Sequence, residues 1–259
     1  MKAIILCAGY GTRLYPLTKN KPKALLTVDG KTLLDLLIDN LEEIDAINDI
    51  VIVSNTKFYD NFIQHVANLK TSKKVTVLND GSICPDDMLG AIGDLKFALD
   101  MTRCKEEIMV LAGDNWFDFK LKDFYDSYLS HGKRNVVFGQ TKTDVEVLKK
   151  GAVAKLGEHG RVLEMEEKPV SPQGDFAVGP FYIYNQRTVK TIHEYVKNNQ
   201  YNKVAIDAPG RFPAWLSKRE PIYAFDIAPK HFIDIGTPEA YYTINEKINE
   251  IKNGEFILK

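Results

Sequence analysis

Gly9 and Gly11, with Arg13, Lys19, Lys21 and Lys23 close behind, are residues whose types and spacing suit the binding of a polyphosphate. Glycines let backbone N–H groups converge on an anion and adopt conformations that a Cβ forbids, while the nearby cations supply countercharge. Pro22 fixes the backbone just ahead of Lys23. Ala3-Ile4-Ile5-Leu6 precedes the loop, and its length and β-branched pair predict a buried parallel strand that ends where the glycines begin. Two common glycine motifs are excluded. No Gly-Lys-Ser/Thr follows, as a Walker loop requires, and Leu14 stands where a dinucleotide fingerprint needs its third glycine.

Carboxylates stand at the ends of two other apolar runs. Ile108 to Ala112 leads through Gly113 to Asp114, which could hold Mg²⁺ through hard oxygen ligands or simply make a turn. Asp234 lies between Ile233 and Ile235 and ahead of Pro238; it could cap a helix, although Thr237 is better placed to do so. Glu166-Glu167-Lys168-Pro169 taken alone reads as a solvated, charged edge. Asn79-Asp80-Gly81 reads as a turn whose side chains could also meet a base edge.

The composite of Gly9-Tyr10-Gly11-Thr12-Arg13 with Pro22-Lys23 resembles the signature of the sugar-1-phosphate nucleotidyltransferases, in the single-domain form of the glucose-1-phosphate thymidylyltransferases and mannose-1-phosphate guanylyltransferases. That resemblance implies a Rossmann-like three-layer α/β fold, with a mostly parallel central sheet, an antiparallel strand and a small added hairpin. It implies that a nucleoside triphosphate and a sugar 1-phosphate are joined with Mg²⁺ to give a nucleoside-diphosphate sugar and pyrophosphate. Ala8, Gly9, Gly11, Thr12 and Arg13 would then bind the nucleotide together with Asn79, Asp80 and Gly90. Asp114, in Leu111-Ala112-Gly113-Asp114-Asn115, and Asp234, in Asp234-Ile235-Gly236-Thr237-Pro238, match the metal-binding aspartates. Gly151, Glu167, Lys168 and Val178 correspond to the sugar-phosphate site, and Arg13, Lys23 and Lys168 to the catalytic cations. Two departures stand out. No glutamine occupies the Asn79 region, which weakens a thymidylyl or uridylyl assignment, and Pro180 stands where a glycine is expected after Ala177-Val178-Gly179.

Two rival readings remain. The first is a cytidylyltransferase acting on phosphocholine or inositol phosphate; Glu167-Lys168 favours a polyol over choline, which calls for an aromatic cage. The second is a non-catalytic nucleotide-sugar binding protein, which would not need both metal carboxylates. Arg211 and Trp215 are expected to pack rather than to line the sugar site. His65, His131, His159, His193 and His231 lack metal-ligand spacing and are read as structural or exposed.

These side chains need a scaffold, and the chain supplies a rhythm of strands and helices. Helices are expected over Leu33 to Leu41 behind Thr32, about Lys57 to Leu69, Leu89 to Leu99, Leu121 to Ser130, about Thr188 to Asn198, Phe212 to Lys218 and Pro238 to Asn253. Strands are expected at Ile50–Val53, Val75–Leu78, Ile108–Ala112, Asn135–Gly139, Phe181–Tyr184 and Ile222–Phe225, with a hairpin of Val153–Leu156 and Arg161–Met165. Parallel β-α-β units follow, with ligands beyond the carboxyl ends of the strands. The 259 residues fit one catalytic domain spanning 1–259, without the C-terminal left-handed β-helix that some relatives add. A net charge of −1 gives no general attraction to nucleic acid or membrane. Cys7, Cys84 and Cys104 are scattered, and with no signal or spanning segment they point to free thiols in the cytoplasm. Oligomeric state is left open, homo-oligomers included.

Overall fold

In the computed structural model, which describes residues 1–255, the first half of the chain runs β1 (Lys2–Leu6), β2 (Thr27–Val28), β3 (Lys31–Thr32), α1 (Leu33–Glu42), β4 (Asp49–Ser54), α2 (Tyr59–Val66), β5 (Lys74–Asn79), α3 (Ala91–Thr102) and β6 (Ile108–Ala112). β1 pairs in parallel with β4 on one side and β6 on the other, and β5 extends the sheet beyond β4. Both faces of these strands are buried. Ala3, Ile5, Ile50, Ile52, Met109 and Leu111 enter one hydrophobic layer with α1 and α2. Ile4, Val51, Val53, Ile108 and Val110 enter the opposite layer with α3. Burial on both faces explains why these strands read as continuous apolar runs.

The second half adds β7 (Asn115–Phe117), α4 (Leu121–Ser130), β8 (Asn135–Thr141), α5 (Val145–Leu148), β9 (Ala152–Leu156), β10 (Val162–Glu167), β11 (Phe176–Tyr184), α6 (Gln186–Asn198), α7 (Lys203–Asp207), α8 (Arg211–Ser217), β12 (Ile222–Asp226), β13 (Phe232–Asp234) and α9 (Pro238–Lys252). The expected antiparallel strand and hairpin are present: β11 runs antiparallel to β6, and β9 and β10 pair antiparallel beyond it. β11 begins at Phe176 rather than Phe181, because its first residues pair with β9 and its last with β6, while β8 follows its other edge. Pro180 falls in the irregular stretch between Val178 and Tyr182 of the β11–β8 ladder, where a missing N–H costs least. Gly179 lies there against the Phe138 ring, which a Cβ would meet at 2.0 Å.

Helix α2 is shorter than expected at its start, since the Asn55 side chain accepts the Phe58 N–H at 3.0 Å and holds a turn ahead of it. Caps elsewhere follow the sequence: Thr32 accepts from Asp35 N at the head of α1, and Thr237 from Ala240 N at the head of α9. Three histidines serve as surface ties, His65 to Asp35, His193 to Asp100 and His231 to Asp118. No helix among the described residues is long and apolar enough to cross a membrane.

Candidate functional site

Two hydrogen bonds anchor the glycine loop where it leaves β1. Cys7 N–H donates to Val53 O at 2.8 Å, and the Asn55 amide donates to Ala8 O at 2.8 Å. Gly9 is exposed with open space where its Cβ would stand. Gly11 takes φ +62°, and the Thr18 hydroxyl donates to its carbonyl at 2.7 Å. A side chain at Gly11 would meet both a disfavoured φ and Thr18 at 3.3 Å. Thr12 to Leu14 then form one 3₁₀ turn, which buries Leu14 beside Trp116 and leaves Thr12 and Arg13 exposed. A cavity of about 260 Å³ opens here, bounded by Gly9, Gly11, Arg13, Lys23, Asp114 and Gly236.

Register brings the two aspartates to its rim. Leu6 pairs with Ala112, and Gly113 N–H donates to Leu6 O at 3.0 Å, so Asp114 emerges beside the loop. Gly113 has to be glycine, since a Cβ would lie 2.2 Å from Cys7 Sγ. β13 lies antiparallel to β7 with Asp234 opposite Asn115, one residue from Asp114. Lys23 Nζ sits between the carboxylates, 2.9 Å from Asp114 Oδ2 and 2.8 Å from Asp234 Oδ1. Its side chain is 10% exposed, against 44% and 59% for its partners. Burial alone would depress the Lys23 ammonium, but the two carboxylates outweigh it and hold its pKa above the ordinary lysine value.

A divalent cation fits this arrangement. Two carboxylates already converge on one positive charge, and Mg²⁺ is commonly held by one or two carboxylates together with substrate phosphates. Among the described residues no cluster of three or more metal-ligating side chains exists, so the remaining ligands would have to come from phosphate and water.

The loop after β5 is turned in on itself. Asn79 Oδ1 accepts from Gly81 N at 2.9 Å and from the Thr56 hydroxyl at 3.1 Å, while Asp80 accepts from Ser82 N at 2.8 Å. Gly90 opens α3 at φ +78° with α7 lying on it; a Cβ would come 2.8 Å from Ile206 O. Sequence reasoning missed Asp94, one turn further along α3. This carboxyl is 6% exposed with Oδ1 unpartnered, and burial, then the neighbouring Asp80, pushes its pKa up to about 8. The unfolded chain ionises near the ordinary aspartate value, so native stability falls as pH climbs from about 4 towards 8. Asp94→Asn is therefore expected to be more stable than the parent at pH 8, by on the order of a few kcal/mol, and near parity only at about pH 4. Urea unfolding of both proteins at the two pH values checks this, and parallel pH trends would contradict it.

The opposite end of the cleft is built on β10. Glu167 closes that strand opposite Ala152, and Lys168 follows at φ +52°, exposed, donating its N–H to Gly151 O at 2.9 Å. Burial raises the Glu167 pKa against the opposing pull of Lys168 and Arg211. Gly210 packs on this carboxylate so closely that a Cβ would stand 1.9 Å from Oε2. Asp207, whose backbone covers Gly90, also acts on the Glu167 charge, so the two ends are linked through α7. Val178 is buried in the core against Ala152 rather than open to the cleft. Trp215 packs as the sequence leads one to expect, against Tyr195 and Phe212, whereas Arg211 finds no partner for its guanidinium among the described residues. With Glu167, Arg211 and Trp215 line a second cavity of about 510 Å³, because α8 begins at Arg211, just after Gly210, and presents its first residue past the end of β10.

Comparison with known proteins places this geometry among relatives. A family model described as nucleotidyl transferase matches residues 2–251. A Sulfolobus acidocaldarius protein carrying a provisional mannose-1-phosphate guanyltransferase name is 29% identical over 252 residues, which cover 97% of this chain and 64% of that protein. The UTP–glucose-1-phosphate uridylyltransferase AglF of Haloferax volcanii is 26% identical over 200 residues, 77% of this chain and 78% of its own length. Among solved structures, UDP-glucose pyrophosphorylase complexed with UDP-glucose superposes with a TM-score of 0.76 at 21% identity, covering 96% of this chain and 98% of that one. The chain spans less than two thirds of the Sulfolobus protein and of several mannose-1-phosphate guanylyltransferases that it matches.

Proposed function

The chain belongs to the nucleotidyl transferase family, and we propose that it joins a nucleoside triphosphate to a sugar 1-phosphate, giving a nucleoside-diphosphate sugar and pyrophosphate. The observation that carries this reading is the meeting of Asp114 and Asp234 on Lys23 at the mouth of the glycine loop. Residues 1–259 would act as one catalytic unit, and the free thiols of Cys7, Cys84 and Cys104 support a reducing, cytoplasmic setting.

In the proposed reaction a phosphate oxygen of the acceptor attacks the α-phosphorus in line, and the bond to the β,γ-pyrophosphate breaks. The nucleophile is already an anion, so positioning and charge neutralisation carry the catalysis. The backbone of Ala8 to Thr12 cradles the triphosphate, and Arg13 takes the charge that builds on departing pyrophosphate. Lys23 neutralises the triphosphate, Lys168 meets the attacking phosphate, and Glu167 and the Gly151 backbone orient the sugar. Asn79, Asp80 and Gly90 border the nucleoside. Asp114 and Asp234 would hold Mg²⁺, which when bound neutralises phosphate oxygens.

Arg13→Ala is expected to lower kcat by about two to three powers of ten with the fold intact, since the side chain is exposed and only its charge is lost. The reading as a whole is tested by pyrophosphate release from a pool of ATP, CTP, GTP, UTP and dTTP with Mg²⁺ and hexose phosphates. Thermal shifts with single triphosphates then identify the base, because a ligand of the native state raises the melting point. Release from no combination rejects the enzyme in favour of a binding protein.

A further inference from the structure

The cavity that Glu167 lines adjoins the acceptor residues, and of its lining the reaction above uses Glu167 alone. Its volume of about 510 Å³ lies within the roughly 300–1,000 Å³ of small-molecule sites. Arg211 enters it from the first turn of α8, and Lys218 borders it from the other end of that helix. The Arg211 guanidinium makes no hydrogen bond or ion pair among the described residues, and its Nε is buried without a partner. Glu167 is close enough to sense that charge, yet it forms no ion pair with it. Lys23, by contrast, is held by two carboxylates at hydrogen-bonding distance. A buried donor left unmade is costly, so an unspent arginine in an open cavity calls for an acceptor group from a ligand.

The remaining wall narrows the ligand's chemistry. Trp215 and Ala214 give an apolar side, and Val170 and Val204 at the rim are 92% and 65% exposed, surfaces that a bound ring would cover. Glu166 also borders the mouth, exposed to solvent, where its charge is screened. Arg211 and Lys218 offset Glu166 and Glu167 in the lining, and the Trp215 ring that a trimethylammonium group would need is already stacked by Arg219 at 3.9 Å. A planar, five-donor guanidinium suits a carboxylate or phosphate better than a neutral hydroxyl.

We infer that the acceptor is a doubly anionic sugar phosphate: beyond the phosphate that attacks, it carries a carboxylate or a second phosphate, which Arg211 binds with help from Lys218. This rests on the assignment of Glu167 and Lys168 to the acceptor. Specificity for such an acceptor would then reside in α8, outside the glycine loop and the metal carboxylates.

The test compares kcat/KM for glucose 1-phosphate, glucuronic acid 1-phosphate and glucose 1,6-bisphosphate, with the triphosphate pool and Mg²⁺. One of the two doubly anionic acceptors is expected to exceed glucose 1-phosphate by about tenfold or more, the worth of one charge-assisted contact. The carboxylate and bisphosphate arms tell the two anions apart. Arg211→Gln is expected to bring that preference ratio close to one, and Lys218→Gln, at an exposed position, to reduce it severalfold even where the first variant folds poorly. Equal or better use of glucose 1-phosphate by the parent overturns the inference, as does a preference that survives both substitutions. Turnover of none of the three acceptors overturns instead the reading on which it rests, so the two failures are distinguishable.

Discussion

Lys23→Ala is expected to turn over about two to three powers of ten more slowly than the parent while responding more strongly to Mg²⁺. The two effects have one origin. In the parent the Lys23 ammonium fills the space between Asp114 and Asp234, at 2.9 and 2.8 Å from their oxygens, and so competes with any other cation for them. Without the lysine the carboxylates face each other with no countercharge. Because they are 44% and 59% exposed, solvent screens that repulsion to roughly 1 kcal/mol or less, so the variant still folds. Saturating Mg²⁺ should then raise its melting temperature by more than it raises the parent's, since stabilisation by a ligand grows with its affinity for the native state. Turnover should nevertheless fall, because the ammonium proposed to neutralise the triphosphate is gone. A smaller Mg²⁺-induced rise in the variant than in the parent would show that lysine and metal do not share the position.

That pairing marks the border of what the sequence displays. The strands Lys2–Leu6, Asp49–Ser54 and Ile108–Ala112 are legible because burial on both faces demands unbroken apolar runs, and the glycines after Leu6 mark where the first one stops. Nothing in residues 114 and 234 taken alone says that they meet. The elements that join them, Asn115–Phe117 and Phe232–Asp234, are three residues each, too short for any periodicity to register, and their proximity came only from the family resemblance. Asp94 was hidden for a different reason. It stands among Ile92, Leu95 and Leu99 on a helix where an acid normally faces water, and only the tertiary packing under the Asp80 loop makes it a buried acid. Arg211 shows the same limit from the other direction: aromatic neighbours at helical spacing read as core, and Phe212 is core, but the close seat of Gly210 on Glu167 turns the adjacent arginine into an open cavity. Local pattern thus reports burial along an element well, and the contacts between distant short elements hardly at all.

Asp114→Asn and Asp234→Asn are each expected to lower Mg²⁺-supported kcat by about three powers of ten, and the double variant by little more than either alone. Groups that hold one ion act as a unit: once one carboxylate is neutral the cation is lost or misplaced, and the second has little left to contribute. Two independent roles would instead make the losses multiply. Stability should behave the opposite way. Either single variant leaves Lys23 with one carboxylate, whereas the double leaves a largely buried ammonium with none, and a charge stripped of its last partner costs more than one that keeps half its compensation. The double variant should therefore melt lower than the sum of the single effects predicts, most clearly at neutral pH, where burial no longer opposed by carboxylates favours loss of the Lys23 proton. Kinetic cycles that multiply, together with melting effects that simply add, would mean that Asp114 and Asp234 face the same lysine without sharing the same cation.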